Sequence, residues 1–556
     1  MFYYSFGAVG LLASVYEISD VNKIRILFWI LCITGAPIVI IFSCFHGKRG
    51  KNPIPVIEII LISICILTGG GFVAKTLVEP TTLTILIRMQ DPQESWFIEN
   101  ILKEFEKKNH CKVIIKRFVR HYELCEILRS EAEEKKPNNV SLVKTPLHLT
   151  LLLPREGLVK PLKQILSDLG FSKSEIESRL RKIEDEYDPI ALKMARFKKS
   201  RITYITEKEL YFLPRKLETR LMIYRKSKVV DAVNNWYKFY LQIDDILKKE
   251  NGYGLPSNYQ LEPDANKWDF YDLFVVGYYW ANTEYNGKKT PRIAHRSKNY
   301  SGTIVSLIDR ALQLGASRKD IIDMYRFSDG IIDMFHWEAI FRKYNLYCEG
   351  MWEEAGWSVE FYEGIKKESV YLTWNHQLGC LLIYGSEHLG IEGYLNAKED
   401  LGIAIMPQGV SFELTKEGLP KRIGSRKAHT LGWFWGFPKN SPEPELAYKL
   451  AMFITSYLPH LEECKNFWIT SIRKDVSDAL KADLKAGWQT EVYTKSFEQF
   501  KINGDHLVPR FETLSDQQEF LDNYYEAFEQ IVIKKRYCLS GPEGRVDRNF
   551  ITENIR

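Results

Sequence analysis

Asp269 and Asp272, and Glu353 and Glu354, are the carboxylate pairs in this sequence from which glycosidic bond cleavage could be built. That reaction needs two carboxyl groups facing each other across a sugar, and sequence spacing alone sets neither pair at the required separation. Nothing else demands catalysis. The 11 histidines and 9 cysteines form no H-E-x-x-H motif, no metal-spaced cluster and no C-x-x-C pair, and no G-x-S-x-G turn is present. The chain is therefore expected to be a non-enzyme with no cofactor and no metal centre, hydrolysis being the lesser alternative. Binding chemistry is better represented. Trp374 beside Asn375 in TWNHQ, together with Trp433 and Trp435 in GWFWG, offers flat aromatic faces and an amide. A sugar needs both, rings for its C–H faces and polar groups for its hydroxyls. With 13 Trp, 30 Tyr and 30 Phe, most other rings must serve as packing.

The elements that would position these residues divide sharply in composition. Of the 556 residues, 45% are hydrophobic and 26% charged, which is ordinary globular material. Residues 26–45 (ILFWILCITGAPIVIIFSCF), however, carry no charge. About 20 residues at roughly 1.5 Å each match a bilayer core of about 30 Å. A second run, 54–74, contains one charge, Glu58, near an end where a carboxylate reaches the headgroups. Between them Lys48, Arg49 and Lys51 make a short basic loop of the kind that stays in the cytoplasm. The expectation is a transmembrane helical hairpin over residues 1–80, placing a multi-pass protein in the cell membrane with everything after it extracytoplasmic. Residues 2–16 could form a further span or an interfacial segment. A net charge of +5, with Lys and Arg interspersed among Asp and Glu, argues against a nucleic-acid partner. GGGFVAKT at 69–76 nearly spells a phosphate-binding loop, but Ala74 stands where the second glycine belongs and the stretch ends an apolar run.

Beyond residue 80 the pattern alternates. TLTILIR (82–88) predicts a strand; DPQE then predicts a helix start capped by Asp91, with Pro92 first in the helix and Glu94 completing a box. CKVIIKRF (111–118) predicts a second strand and 122–134 a helix. Such alternation gives an α/β sheet with crossover helices. Ligands of such sheets sit beyond the carboxyl ends of the strands, which singles out Gln90 and Asp91 after the first strand and Lys144 and Thr145 after 140–143.

The order of these segments resembles one family, the extracellular solute-binding proteins of ABC importers, of the maltose-binding type. TLTILIRMQDPQESWFIENILKEFEKKNHCKVIIK resembles that family's first strand, helix and second strand. NNVSLVKT followed by GLVKPL (157–162) resembles its second ligand loop. YFLPRKLETRLMIYRK (211–226) resembles the Pro-containing crossover, with Arg225 where Asn is usual. LGIAIMPQ (401–408) resembles the return crossover, and GWFWGFPKNS (432–441) with the helix 444–457 a late signature. The match runs through about residues 81–475 in order. It implies a two-lobed, periplasmic-binding-protein-like α/β domain, with 81–217 and 402–475 in one lobe and 218–401 and 476–556 in the other. It also implies a ligand between the lobes, flanked near the crossover by Arg215 and Glu218. The implied function is binding of a small solute, a carbohydrate, and its delivery to the permease subunits of an ABC importer. The membrane hairpin departs from the family's usual signal peptide or lipid anchor, and it suggests a sensory or scaffolding subunit as the alternative.

Overall fold

The computed structural model describes residues 80–198, 208–294, 301–323, 328–348, 359–483, 488–534, 539–540 and 545–554. The expected spans at 26–45 and 54–74, the segment 2–16, and the pair Glu353 and Glu354 lie outside the described residues. Among the described residues no helix is long and apolar enough to cross a membrane.

The first sheet is six-stranded and grows from β1 (Thr81–Ile87). Consecutive residues Leu83 to Ile87 are all buried, so both faces of β1 are covered, as in the centre of a parallel sheet. β2 (Cys111–Arg117) pairs with it in parallel from Thr81 opposite Cys111 to Ile87 opposite Arg117. The helical run beginning at Asp91 supplies the crossover that parallel pairing requires. That run starts one residue earlier than the sequence suggests. Gln90 occupies the capping position without a side-chain hydrogen bond, and Asp91 is the first helical residue. The cause is Pro92, which has no amide hydrogen to offer a cap at the second helical position. Glu94, freed from any box, accepts from Nε of Arg117 on β2 at 2.7 Å.

β3 (Leu142–Pro146) lies on the other side of β1, again in parallel, and β4 (Val159–Lys160) forms an edge. β5 (Phe212–Glu218) leads out of this sheet, and β6 (Leu221–Arg225) enters a second, three-stranded one. There β6 pairs antiparallel with β7 (Leu372–Asn375) and β8 (Leu401–Ala404). The chain then returns. β9 (Leu431–Pro438) inserts antiparallel into the first sheet between β3 and β5, touching β4 at its far end.

Two large cores follow this division. One is built on the first sheet around Leu83, Ile85, Leu142, Phe212 and Phe434. The other gathers the helices Phe270–Asn282 and Asp329–Lys343, with Trp280, Trp337 and Phe341 fully buried. Residues 405–430, expected in the first lobe, carry Val410, Phe412 and Leu414 into this second core, where Phe412 packs edge-on against Trp337 at 4.9 Å. A smaller third core, including Ile223, Leu381, Ile403 and Phe467, backs the three-stranded sheet.

Asp269 and Asp272 have a structural task here. Asp269 Oδ1 accepts from the amides of Tyr271 (2.8 Å) and Asp272 (3.1 Å), while Asp272 Oδ2 accepts from the amide of Asp269 (2.9 Å), a capping box at the start of a buried helix. Burial, then the Asp269 charge, pushes the Asp272 carboxyl up to about 7. The folded protein thus holds this proton more tightly than the unfolded chain does. Its stabilising share is complete below the ordinary carboxylate range, near 4, and is lost as pH rises through about 7. Denaturant unfolding across that window should show stability falling toward neutral pH, and Asp272→Asn, with no proton to lose, should flatten the slope.

Candidate functional site

Two connections join the sheets. The outward one is only Thr219 and Arg220, between β5 and β6; the return runs from Ile405 to Thr430. Both are tied to one helix, Trp488–Asn503. Gln499 Oε1 accepts from the Met406 amide at 2.8 Å, and its Nε2 donates to the Arg426 carbonyl at 2.8 Å and to Asn503 Oδ1 at 2.7 Å. Asn503 accepts from the Ala428 amide and donates to Thr219 Oγ1, both at 2.8 Å. Thr219 in turn donates to the His429 carbonyl at 3.3 Å. Gln499 and Asn503 are four residues apart, hence on one helix face, and both are fully buried.

A cavity of about 480 Å³ opens beside these connections, within the size range of small-molecule sites. The first sheet's side contributes His121, Pro146, His148 and Trp433; the crossover contributes Glu218 and Arg220; the second core contributes Ile304 and Ile308. The closing wall comes from residues 508–521, including Phe511 and Phe520. Trp433 is half-buried.

Charge is packed tightly around Trp433. Lys144 Nζ stands 4.4 Å from its ring centroid and Lys216 Nζ 6.0 Å. Lys144 also donates to the Arg88 carbonyl at 2.6 Å. Burial, then Arg215 and Lys216, drives the Lys144 amine well below its usual range. Lys216 and Glu218, two apart on β5 and so on one face, form an ion pair at 2.5 Å. Burial alone would raise the Glu218 carboxyl, but Lys216, His376 and Arg220 outweigh it and hold the group well below the usual carboxylate range. Arg215 is fully buried and pairs with Glu463, which also accepts from Gln93 at 3.0 Å; Arg215 Nε and Nη1 make no hydrogen bond. Its position is set by a bulge: β9 places Phe434 opposite Pro214 and Trp433 opposite Lys216, leaving Arg215 unopposed.

Of the residues singled out in the sequence, Glu218 and Trp433 line the cavity, and Lys144 lies against Trp433. Thr145 is buried opposite Phe434, and Trp435 is fully buried, stacked on Phe97 at 6.2 Å. Gln90 keeps a buried Oε1 without a partner, whereas Asp91 is exposed. Trp374 and Asn375 are on β7 in the second sheet, outside the cavity lining. Trp374 packs under the Arg310 guanidinium at 4.6 Å, and Asn375 donates to Tyr362 Oη at 3.2 Å. His121, His148 and Arg220 line the cavity without having been singled out. The rule that pointed past β1 and β3 would have found the histidines, since His121 follows β2 and His148 follows β3.

Two α/β sheets joined by crossing connections, with a cleft where they cross, make the two-lobed architecture of the solute-binding proteins. Solved structures agree. Maltose-bound MalE3 of T. maritima is similar at 15% identity over 85% of this chain and 97% of its own, with a TM-score of 0.56. A solute-binding protein of Thermotoga lettingae bound with alpha-D-tagatose is similar at 15% identity, 85% and 98% coverage and a TM-score of 0.55. An ABC substrate-binding protein of Listeria monocytogenes in complex with cycloalternan follows at 13%, 86% and 97%, with a TM-score of 0.54. At such identities the likeness is one of fold. No family model matches the chain, and no curated protein matches it in sequence.

Removing one partner of a buried ion pair leaves the other charge without compensation, which costs about 3–5 kcal/mol. Glu463→Ala should therefore lower unfolding stability by that order, while the double replacement Arg215→Met with Glu463→Leu should recover most of it in the same denaturation experiment.

Proposed function

We propose that this chain is an extracytoplasmic solute-binding protein, anchored in the cell membrane by residues 1–80, that takes a sugar between its lobes for delivery to an ABC importer. The observation that carries this reading is the cavity of about 480 Å³ at the crossing point, lined from both lobes and floored by Trp433. A ligand touching both walls binds the closed arrangement better than the open one, and that difference in affinity is what drives closure. The similar structures are binding proteins, and three of them hold maltose, tagatose and cycloalternan. Glu218 is the one carboxylate among the described residues lining the cavity, and Asp269 and Asp272 are committed to a helix cap, which favours binding over hydrolysis. The basic loop at 48–51 supports the outward orientation. The apolar hairpin also supports a second reading, a sensory or scaffolding subunit with the same sugar cleft. Co-purification separates the two: permease subunits retained with the intact protein favour import, and a kinase or structural complex in their place favours the second.

Titration calorimetry of the full chain against neutral and acidic saccharides should detect binding of at least one. Trp433→Ala should weaken it by roughly 10- to 100-fold, the loss of about 1.4–2.8 kcal/mol. No heat with any saccharide would remove the carbohydrate assignment.

A further inference from the structure

The walls of the cavity at the crossing point differ in chemistry. From the first sheet and the crossover come His121, Tyr122, His148, Trp433, Glu218 and Arg220. They give a ligand hydrogen-bonding groups and one aromatic face. The helix Ser301–Gln313 of the second core contributes Ile304, Val305 and Ile308, which share one face of that helix. With Gly302 they make a wall in which none of the described lining residues carries a polar side-chain atom.

The closing wall is of the same kind. Phe511 and Phe520 pack with ring centroids 4.9 Å apart, and Leu514 and Leu521 stand seven residues apart on the helix Leu514–Phe528. Of its polar lining residues, Ser515 and Gln518 are exposed, and Gln518 donates to Asp522 Oδ1 at 2.8 Å. Gln517 is half-buried. The charged side chains of this segment are outside the lining. Arg510 donates to the Met194 carbonyl at 2.9 Å and to Thr150 Oγ1 at 3.3 Å, Glu512 pairs with Arg155, and Asp516 and Glu519 are exposed.

A free oligosaccharide carries hydroxyls around every ring. Held between these walls, it would set some of them against Ile304, Val305, Ile308 and the phenylalanines. Those hydroxyls lose water there and find no side-chain partner, which is unfavourable. An apolar group in the same place gains instead, by about fourfold in affinity for each methylene taken out of water.

We infer that the cleft takes an amphipathic glycoside. Its sugar ring lies on Trp433 among the polar groups, and its alkyl or aryl aglycone lies against the Ile304–Ile308 face and the Phe511–Phe520 wall. This rests on the carbohydrate-binding reading above and narrows it to one class. Binding then removes apolar surface of the ligand from water, and its heat-capacity change is more negative than that of a bare sugar.

The test is calorimetry of the full chain at several temperatures. The probes are methyl, phenyl and n-hexyl glycosides of glucose, galactose and mannose, with maltose and n-hexanol alongside, all below micellar concentrations. The expected result is that, for at least one sugar, the phenyl or hexyl glycoside binds about tenfold or more tighter than the methyl glycoside and than maltose, with a more negative heat-capacity change. Val305→Thr, which keeps the shape and adds a hydroxyl, and Leu521→Gln should each lower the hexyl-to-methyl affinity ratio by about threefold or more while circular dichroism remains unchanged. A ratio near one in the unaltered protein, or a high ratio that neither replacement lowers, overturns the aglycone assignment and leaves the sugar-binding reading standing. Binding of n-hexanol as tight as that of the hexyl glycosides overturns both, as does silence with every glycoside and with the wider saccharide panel.

Discussion

The hydrogen bonds from Gln499 and Asn503 are the constraint on which the two-lobed arrangement depends. One face of a single helix satisfies backbone groups at Met406, Arg426 and Ala428 on the return connection and the Thr219 hydroxyl on the outward one. Buried backbone polar groups must find partners, and loops that cross between domains lack the ladder that would supply them. Here two amide side chains replace the ladder. They fix where both connections run, and so where the cavity's crossover wall, Glu218 and Arg220, stands relative to Trp433.

The bulge at Arg215 has a comparable effect at smaller scale. Without it, Lys216 would not fall opposite Trp433, nor would Glu218 share its face at the cavity edge. The displaced Arg215 is sent into the interior, where Glu463 neutralises it. Such a pair adds little net stability compared with an apolar replacement. Its value is positional: Gln93, Arg215 and Glu463 connect the helix after β1, the bulged strand and the helix Tyr457–Phe467 through charge-assisted hydrogen bonds.

The sequence was most readable where local and global preferences agree. β1 and β2 announce themselves as short apolar runs, and the crossover at 211–226 and the return to GWFWG carried the resemblance to solute-binding proteins that the fold bears out. Trp433 was legible because GWFWG sets two Trp rings one residue apart in the stretch that resembles the family's late signature. Trp374 and Asn375 offered the same chemistry on paper, yet their places on β7 direct them to Arg310 and Tyr362, contacts set by tertiary packing. His121 and His148 are 27 residues apart, and no motif links them. They meet because β2 and β3 flank β1, so the loops leaving both strands come out at the same end of the sheet. Residues 405–430 read as part of the lobe to which they lead, whereas Phe412 packs in the other because Trp337 and Tyr271 offer it a buried site.

The sheet order also bears on how the chain comes to exist. β9 lies between β3 and β5, yet roughly two hundred residues separate it from β5 and nearly three hundred from β3, and the whole second sheet intervenes. During synthesis from the N-terminus, β3 and β5 therefore emerge long before the strand that pairs with both. Until residue 438 leaves the ribosome, each presents an open edge of unpaired backbone groups, the surface on which foreign strands add. Pairings so distant also close large loops and form slowly. The nascent protein thus passes through a window in which its first lobe is unfinished at the very strand that carries Trp433.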